Sequence, residues 1–481
     1  MMNLRKIMVM GLCILQVISM VYGNALFKVE HKFKGERKTI KELRAHDQYR
    51  HRHGRFLATI DLPLGGNGQP SDAGLYFTKI QLGNPPTDYH VQVDTGSDVL
   101  WVNCAGCNNC PKRSGLGIKL NLYDPKSSST ANLINCDEKQ CAMIYQGILS
   151  GCESHMPCLY EVTYGDGSST SGYFVEDTFH YDKVTGNQQT TTGNSSVTFG
   201  CGSKQSGQLS SSDEALDGII GFGQANSSVI SQLSAAGKVQ KSFSHCLDND
   251  DGGGIFAIGQ LVEPKLNTTP LIPNQAHYNV VMKSIEVAGD VLELSTDSSG
   301  SDRGAIIDSG TTLAYLPDDV YNAMVKKILS KQSGLTLHTV QDQFKCFRYT
   351  GNLDDNFPSV IFHFENSLKL TVYPHEYLFP LGEDDHKWCF GWMSSGMQSR
   401  DGKDVTILGD IVLSSKLVYY DLENGTIGWT PYNCSSSIKV KDKVTGAVNT
   451  IGAHDISSAN SISSMSFLFL FVLFNLFFTS H

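Results

Sequence analysis

The chain has 481 residues, of which 40% are hydrophobic and 18% are charged. This length and composition exclude a disordered or fibrous protein and are sufficient for two lobes around a hydrophobic core. The formal net charge is −10, and so acidic a protein is not expected to bind nucleic acid, because its surface would repel phosphate groups.

The N-terminus predicts a secretory signal over residues 1–23. Arg5 and Lys6 precede an apolar run over residues 7–20, and the small residue Gly23 follows that run. This order is typical of a cleaved signal peptide rather than of a membrane span. We therefore expect cleavage after Gly23.

A basic segment over residues 24–70 comes next. Residues 24–60 hold ten Lys or Arg against four Asp or Glu, in front of a strongly acidic body. Opposite charges attract each other, and the attraction weakens when carboxylates are protonated. We predict a removable prosegment that covers an acidic cleft, with a solvated basic leader as the alternative interpretation.

The body of the chain predicts a mainly β protein. From Tyr76 onward, apolar and polar residues alternate in short runs that end at Gly, Asn, Pro or Asp. Such alternation is typical of antiparallel strands. Helical spacing after a Ser or Asp start is found in few places, chiefly over residues 227–236 and 318–330. We expect many strands and few short helices.

Two motifs occur twice in the same order. The sequence Val-Gln-Val-Asp-Thr-Gly-Ser over residues 91–97 is echoed by Ala-Ile-Ile-Asp-Ser-Gly-Thr over residues 305–311. Further on, each half contains an apolar pair that runs into glycine, over residues 218–221 and residues 406–409. Such a repeat indicates a duplicated fold whose halves each contribute to one site.

Each repeated motif places an aspartate on a tight turn, Asp94 in the first half and Asp308 in the second. Either motif alone could be a surface turn, but a pair has a specific chemistry. The glycine of each motif, Gly96 or Gly310, lets the backbone pass close to the carboxyl group and donate to it. Two carboxyl groups that meet at such turns cannot both ionise and share one proton. One then activates a water molecule while the other polarises a peptide carbonyl.

On these motifs the sequence resembles the pepsin-like aspartic endopeptidases, over about residues 72–434. The resemblance implies a mainly β, bilobal pepsin-like fold, with a first lobe over residues 72–262, a second lobe over residues 263–434 and the active-site cleft between them. It implies hydrolysis of polypeptide substrates at acidic pH by Asp94 and Asp308. The protein is then expected to be a monomer without cofactor or metal.

The family carries a β-hairpin flap that closes over the substrate and contains a Tyr-Gly-x-Gly-Ser run. Residues 164–168 are similar to this run, which makes Tyr164 the expected flap residue. The same correspondence implies that Trp101 is the hydrogen-bond partner of Tyr164. It also implies that Ser97 and Thr311 support the catalytic carboxyl groups.

Twelve of the thirteen cysteines remain once Cys13 leaves with the signal. An even number in a secreted chain predicts disulfides, with Cys346 and Cys389 as plausible partners. The Cys-x-x-Cys-x-x-Cys run over residues 104–110 could alternatively bind zinc or an iron cluster, but the secretory route favours disulfides. The cysteine-rich insertion that begins there resembles that of the nepenthesin-like and nucellin-like plant branch of the family. The candidates are Cys104, Cys107, Cys110, Cys136, Cys141, Cys152, Cys158, Cys201, Cys246, Cys346, Cys389 and Cys434.

Asn-x-Ser/Thr sequons fit the same secretory route, since each can carry a glycan on a surface loop. Chance supplies some of them, so they only support the prediction. The candidate asparagines are Asn194, Asn226, Asn267, Asn424 and Asn433.

The C-terminal end predicts a lipid anchor. Small polar residues near Ser458 precede an apolar run over residues 467–478, which is too short to span a bilayer as a helix. This order is typical of a GPI-attachment signal, here residues 458–481, that is removed, with residues 435–457 as a linker. A loosely held hydrophobic tail is the alternative. We expect a membrane-anchored protein on the extracellular side of the cell surface.

Two other functional classes stay open. Relatives on the same fold inhibit polysaccharide-degrading enzymes and have lost catalytic residues, so a catalytically silent, inhibitor-like binding protein is the alternative function. This chain keeps both aspartates and Tyr164, which favours the protease. A structural surface glycoprotein would explain the anchor and the sequons but not the repeated Asp motifs.

Overall fold

The computed structural model describes residues 57–147, 149–293, 303–332, 334–341, 343–382, 386–395, 405–443 and 445–457. All of them belong to one compact unit, Arg55–His481. The predicted signal peptide, residues 24–56 of the predicted prosegment and the predicted anchor near Ser458 lie outside the described residues.

Short strands make up most of the described chain, which confirms the mainly β class. The period-2 alternation that predicted them is visible in β4, where every second side chain is buried. The strands are β1 Ile60–Asp61, β2 Leu64–Asn67, β3 Leu75–Leu82, β4 Thr87–Asp94, β5 Trp101–Asn108, β6 Asn132–Leu133, β7 Leu159–Thr163, β8 Ser169–Gly186, β9 Gln189–Ser206, β10 Gly218–Gly221, β11 Ser242–Leu247, β12 Gly254–Ile258, β13 Gln260–Glu263, β14 Thr268–Pro270, β15 Asn279–Val287, β16 Asp290–Glu293, β17 Arg303–Ile307, β18 Ala314–Leu316, β19 His338–Val340, β20 Phe344–Arg348, β21 Val360–Phe364, β22 Lys369–Val372, β23 Leu378–Pro380, β24 Lys387–Phe390, β25 Trp392–Ser394, β26 Thr406–Leu408, β27 Lys416–Asp421, β28 Thr426–Pro431, β29 Ser437–Lys441 and β30 Val448–Gly452.

Helices are short, and both predicted helical stretches are confirmed to within two residues. In the first, the Ser228 hydroxyl accepts a hydrogen bond from the Ser231 backbone and so caps the helix. Within the described part of the chain, no helix is long and apolar enough to cross a membrane. The helices are α1 Lys139–Ile144, α2 Val229–Ala235, α3 Asp318–Ile328, α4 Leu353–Asn356, α5 Pro374–Tyr377 and α6 Asp410–Leu413, with 3-10 turns over Pro125–Ser127, Gly207–Ser210, Leu329–Lys331 and Glu365–Ser367.

The sheets follow the two halves of the chain but also join them. The largest sheet has fifteen strands, most of them from the first half, and it continues through β11 into β27, β28 and β14 of the second half. The second half has its own eight-stranded sheet, in the order β22-β21-β15-β17-β26-β18-β25 with β16 at its side. This arrangement is consistent with the bilobal pepsin-like fold.

The repeated motifs occupy equivalent positions in the two sheets. In the first half, β10 runs parallel to β4 and places Gly221 opposite Asp94. In the second half, β26 runs parallel to β17 and places Leu408 opposite Ile307, one residue before Asp308. The sequence repeat therefore corresponds to a structural repeat in which each Asp loop leaves the end of a buried strand.

Six disulfides use all twelve of the candidate cysteines, which confirms the disulfide prediction. Because each of these sulfurs is bonded to another sulfur, the run over residues 104–110 is not left free to bind zinc or an iron cluster. Cys346 and Cys389 are partners, as the sequence suggested. The pairs are Cys104–Cys201, Cys107–Cys110, Cys136–Cys152, Cys141–Cys158, Cys246–Cys434 and Cys346–Cys389.

Residues 435–443 and 445–457 are folded rather than a linker. β29 and β30 form a hairpin that pairs with β13, and Ile438, Val440 and Ile451 are buried against the body. The segment then returns to the N-terminal strands, where the His454 ring bonds the Asp61 carboxylate over 2.9 Å. The alternation of apolar residues in β29 supplies a buried face, and burial of that face holds the segment in place.

The end of the predicted prosegment also lies in the body. Ile60 of β1 pairs with both β12 and β8, and β2 pairs with β3 from Leu64 onward. Residues 57–70 therefore contribute strands to the central sheet.

Candidate active site

Asp94 ends β4 and lies in a tight turn that supplies one donor to each of its carboxyl oxygens. The backbone N–H of Gly96 donates to Oδ1 over 2.7 Å, and the Ser97 hydroxyl donates to Oδ2 over 2.5 Å. The preceding strand buries Val91 and Val93, so the side chain of Asp94 is only 5% exposed. The carboxyl group is therefore held in a single orientation at the edge of the core.

Asp308 has the same surroundings in the second half. It follows β17, the Gly310 N–H donates to its Oδ1 over 2.8 Å, and the Thr311 hydroxyl donates to its Oδ2 over 2.7 Å. Ser97 and Thr311 thus each donate a hydrogen bond to the carboxyl group of their own motif, as the resemblance implied.

The two turns approach each other so closely that only glycine fits. A Cβ atom at Gly96 would lie 2.5 Å from Asp308 Oδ1, and one at Gly310 would lie 2.1 Å from Asp94 Oδ1. Both distances are well below van der Waals contact. Each glycine therefore makes room for the carboxyl group of the opposite half, and the structure brings Asp94 and Asp308 together.

This proximity changes the acidity of the pair. Burial, followed by the negative charge of Asp308, raises the pKa of Asp94 to about 7, although the hydrogen bonds from Ser97 and Gly96 oppose the shift. Burial favours the neutral form of a carboxyl group, and a nearby like charge does the same. The pair therefore retains a shared proton from moderately acidic pH up to near neutrality.

A reciprocal set of hydrogen bonds joins the two Asp loops, and it was not predicted. The Thr95 hydroxyl accepts from the Ser309 N–H over 2.9 Å and donates to the Ile307 carbonyl over 3.3 Å. In return, the Ser309 hydroxyl accepts from the Thr95 N–H over 3.3 Å and donates to the Val93 carbonyl over 3.2 Å. The sequence signal that could have predicted these bonds is the hydroxyl residue between Asp and Gly in both repeats.

Close packing explains why the second repeated motif ends in glycine in both halves of the chain. A Cβ atom at Gly221 would lie 2.3 Å from the backbone of Asp98, and one at Gly409 would lie 2.2 Å from the Thr311 carbonyl. The loops that follow Asp94 and Asp308 therefore pack directly against these glycines. The apolar pair before each glycine forms the parallel strand beside the Asp strand.

Tyr164 lies in the turn between β7 and β8, at the expected flap position. Its backbone N–H donates to the Ser168 carbonyl over 2.9 Å and closes the turn. Its hydroxyl accepts from the indole Nε1–H of Trp101 over 2.7 Å. Burial, followed by the charge of Asp94, raises the pKa of Tyr164, so its hydroxyl stays protonated. The structure thus brings Tyr164, Trp101 and Asp94 into one neighbourhood.

A third carboxyl group, Asp410, lies close to the pair and was also missed. It is 1% exposed, and neither of its oxygens has a hydrogen-bond partner among the described residues. Burial, followed by the charges of Asp308 and Asp94, raises its pKa well above the usual range for an aspartate. Its burial and the neighbouring charges therefore favour the protonated form of Asp410. The sequence offered a weak signal, because Asp410 directly follows the second apolar-Gly motif.

The remaining predicted residues lie away from the pair. Within the described ranges, no group of three His, Cys, Asp or Glu side chains is placed to hold a metal ion. Each sequon asparagine is exposed, as a glycan acceptor must be. These residues are Asn194, Asn226, Asn267, Asn424 and Asn433.

Two family models match most of the folded chain. Their descriptions are xylanase inhibitor N-terminal, which matches residues 76–260, and xylanase inhibitor C-terminal, which matches residues 277–431. The boundary between them falls between the two repeated halves.

Comparison with known proteins gives the family. Aspartic proteinase 36 of Arabidopsis thaliana is 55% identical over 447 residues, which cover 92% of this chain and 91% of that protein. Aspartic proteinase 39 of the same plant is 48% identical over 455 residues, which cover 95% and 94%. The crystal structure of basic 7S globulin from soybean shares the fold at 22% identity and a TM-score of 0.60, covering 78% of this chain and 96% of the globulin. The chain therefore belongs to the pepsin-like aspartic proteinase family.

Proposed function

We propose that this protein is an aspartic endopeptidase whose catalytic groups are Asp94 and Asp308. The observation that carries the proposal is the close approach of two carboxyl groups, buried Asp94 and half-buried Asp308, each held by a backbone N–H and a hydroxyl in equivalent loops. The close relatives that are named aspartic proteinases support it.

The reaction follows from the shared proton. The ionised carboxylate accepts a proton from a water molecule, whose oxygen forms a bond to the carbonyl carbon of the substrate. The protonated carboxyl donates its proton to the carbonyl oxygen and gives a neutral tetrahedral diol. When this diol collapses, the C–N bond breaks, the ionised carboxylate accepts the proton of one diol hydroxyl, and the protonated carboxyl delivers its proton to the leaving nitrogen. The pair ends with one proton, as it began.

Tyr164 and Trp101 have a positioning role in this mechanism. A hairpin tip that folds over the cleft covers the reacting carbonyl and excludes bulk water, which strengthens the electrostatic interactions there. The hydrogen bond from Trp101 directs the Tyr164 hydroxyl. This keeps the tyrosine ring oriented beside Asp94.

Cleavage of a denatured protein between about pH 3 and 7 tests the proposal, because a shared-proton pair loses activity at both extremes. Wild type is compared with Asp94→Asn, Asp308→Asn and Asp137→Asn, the last at an exposed position away from the pair. We expect the first two variants to lose cleavage and Asp137→Asn to match wild type. Equal activity in all four proteins would contradict the proposal.

A catalytically silent binding protein is the second candidate. Both matching family models are described as xylanase inhibitors, but the relatives named aspartic proteinases favour the endopeptidase over it. A folded wild type that cleaves nothing at any pH, even after removal of its N-terminal segment, would place this function first.

We further propose that the protein is a glycosylated, GPI-anchored member of the nepenthesin-like plant branch, on the extracellular side of the plasma membrane. Six disulfides and the exposed sequons support secretion. A phosphatidylinositol-specific phospholipase should release the protein from cells, and a chain ended after Ser457 should be secreted without it. Retention on cells after phospholipase treatment would favour the loosely held tail.

We also propose that a zymogen is activated by a cut before Ala58. Residues 57–70 contribute β1 and β2 to the central sheet, so a cut after them would remove two paired strands. N-terminal sequencing of the active form should therefore give a start upstream of Ala58. A start after Asn67 would refute this boundary.

A further inference from the structure

Tyr278 lies where the two halves of the chain meet, and the mechanism does not use it. It directly precedes β15 and is 0% exposed. Its hydroxyl donates a hydrogen bond of 2.5 Å to the backbone carbonyl of Phe222, which directly follows β10 in the first half and is also fully buried. A carbonyl oxygen can only accept, so the direction of this bond is fixed. A side chain of the second half thus satisfies a buried backbone acceptor of the first half.

Phe222 connects this bond to the first Asp loop. Its N–H donates to the Asp94 carbonyl over 2.7 Å, and the N–H of the next residue, Gly223, donates to the Ser97 carbonyl over 2.8 Å. These two hydrogen bonds hold both ends of the turn that carries the Asp94 carboxyl group. A displacement of Phe222 therefore displaces Asp94.

The backbone of Tyr278 is bonded to the second Asp loop. Its carbonyl accepts from the Ile307 N–H over 3.1 Å, and Ile307 directly precedes Asp308. The ring of Tyr278 is itself held in place, because it meets Tyr420 edge-on at 4.7 Å and Phe243 edge-on at 6.1 Å. One residue therefore joins the two Asp strands, with its side chain bound to one half and its main chain bound to the other.

A tyrosine at this place is a further part of the internal repeat. In each half, the residue after the tyrosine lies opposite the residue that is two positions before the catalytic aspartate. This register makes Tyr76 of β3 the equivalent of Tyr278, and both are fully buried. The Tyr76 hydroxyl, by contrast, makes no hydrogen bond to the second half within the described part of the chain. The link between the halves is therefore made by Tyr278.

Gln224 provides a second link at the same junction. Its side-chain amide donates to the His277 carbonyl over 2.7 Å, one residue before Tyr278. Gln224 is partly exposed and lies two residues after Phe222. The segment that holds the Asp94 turn is thus bound to the second half at two points, one in the core and one near the surface.

We propose that Tyr278 is a positioning residue, which sets the distance and orientation of Asp94 relative to Asp308. The proposal rests on the proposed proteolytic function and adds to it a buried residue that does not touch substrate. Without the Tyr278 hydroxyl, the Phe222 carbonyl is a buried acceptor without a donor, and its segment moves to regain one. The carboxyl pair is then less well placed for attack, which slows the chemical step and leaves substrate binding unchanged.

Tyr278→Phe tests the link directly, because it removes the hydroxyl and retains the ring. Tyr377→Phe is the matched control. Tyr377 is also 0% exposed, and its hydroxyl donates to the Pro358 carbonyl over 2.8 Å. Pro358 lies between α4 and β21, outside both Asp loops. Each variant loses one buried bond from a tyrosine to a backbone carbonyl, so both should lose a similar amount of stability in urea unfolding.

The full chain is expressed through the secretory pathway, and kcat and KM are measured on a quenched fluorescent peptide taken from a cut site in a denatured protein. We expect Tyr278→Phe to lower kcat about five- to tenfold, the effect of one lost hydrogen bond, with KM unchanged. Tyr377→Phe should retain the kcat and KM of wild type in spite of its equal loss of stability.

The pH profile separates positioning from a general loss of stability. Carboxyl groups that move apart interact less strongly, so the two apparent pKa values of the pair approach each other and the active pH range becomes narrower. Asp410 and Tyr164 also face the pair, and both are unchanged in these variants. We expect a narrower range for Tyr278→Phe and the wild-type range for Tyr377→Phe.

Gln224→Met loosens the same junction near the surface. It replaces the amide donor by an apolar group of similar size at a partly exposed position, so the core is left intact. We expect kcat to fall about two- to threefold with KM unchanged. If Tyr278→Phe is not secreted in folded form, this variant decides the test, and a wild-type kcat in it would overturn the proposal.

Three outcomes with Tyr278→Phe would overturn the proposal while leaving the proposed function intact. They are a folded variant with the kcat of wild type, a loss of activity that lies entirely in KM, and an equal loss of kcat in Tyr377→Phe. A wild type without activity, in an assay where Asp94→Asn is equally inactive, would instead refute the proposed function itself.

Discussion

Asp94→Asn is expected to stabilise this protein at neutral pH. The pKa of Asp94 is raised from 3.8 to about 7 in the folded state by burial and by the charge of Asp308. Because the folded-state pKa lies above the unfolded value, the folded state binds the proton more tightly, and stability is lost as pH rises through that interval. Asparagine stays neutral at every pH and is nearly isosteric, so it removes this loss.

The size of the effect follows from the interval between the two pKa values. Each pKa unit corresponds to about 1.4 kcal/mol, so roughly three units give a loss of up to about 4 kcal/mol for wild type above pH 7. Below about pH 4 the carboxyl is protonated in both states, and the two proteins should have the same free energy of unfolding. The difference should therefore grow steadily between these limits.

Urea unfolding followed by tryptophan fluorescence measures this difference at several pH values between 4 and 8. The exposed control Asp137→Asn has the same change in charge without burial, and its stability should follow that of wild type. A stability difference between Asp94→Asn and wild type that does not depend on pH would refute the reasoning. So would a destabilised Asp94→Asn at pH 7.

Three further changes test separate parts of the structure. Gly310→Ala would bring a Cβ atom to 2.1 Å from Asp94 Oδ1. We expect this variant to lower kcat at least about 100-fold by displacing the Asp94 carboxyl group. A fully active variant would show that the two Asp turns are farther apart than the structure places them. Tyr164→Phe removes the hydroxyl that accepts the hydrogen bond from the Trp101 indole N–H, and we expect kcat/KM to fall about fivefold. An unchanged kcat/KM would exclude a catalytic role for this hydrogen bond. Lys416→Met breaks a buried ion pair with Glu376 of 2.8 Å and should lower the free energy of unfolding in urea by about 3–5 kcal/mol. Lys443→Met breaks an exposed pair with Glu423 and should lower it by less than about 1 kcal/mol. Equal losses in the two variants would contradict the burial argument.

The fold class and the aspartate pair were predictable because their signals are local. Strand alternation is a property of neighbouring residues, and each Asp motif contains the donors that hold its own carboxyl group within three positions. The glycines of the motifs were also informative, since each excludes a side chain at a close approach. An even number of cysteines behind a predicted secretory signal was sufficient to predict disulfides.

The residues that sequence reasoning missed depend on distant partners. Thr95 and Ser309 are hydrogen-bonded although 214 positions separate them in the chain. Asp410 differs from other aspartates by its burial beside two other carboxyl groups, which no local pattern indicates. Residues 435–457 look like a polar linker in isolation. The described part of this segment is folded because β29 pairs with β13, more than 170 residues earlier in the chain.

The sequence by itself determined which elements form and which side chains could carry the chemistry, because propensity, alternation and turn geometry act over a few residues. Only the tertiary structure decided which cysteines pair, how the two Asp loops are joined, and which buried groups lie behind them. These are contacts between segments far apart in the chain, and their energies appear only when the fold removes both partners from water.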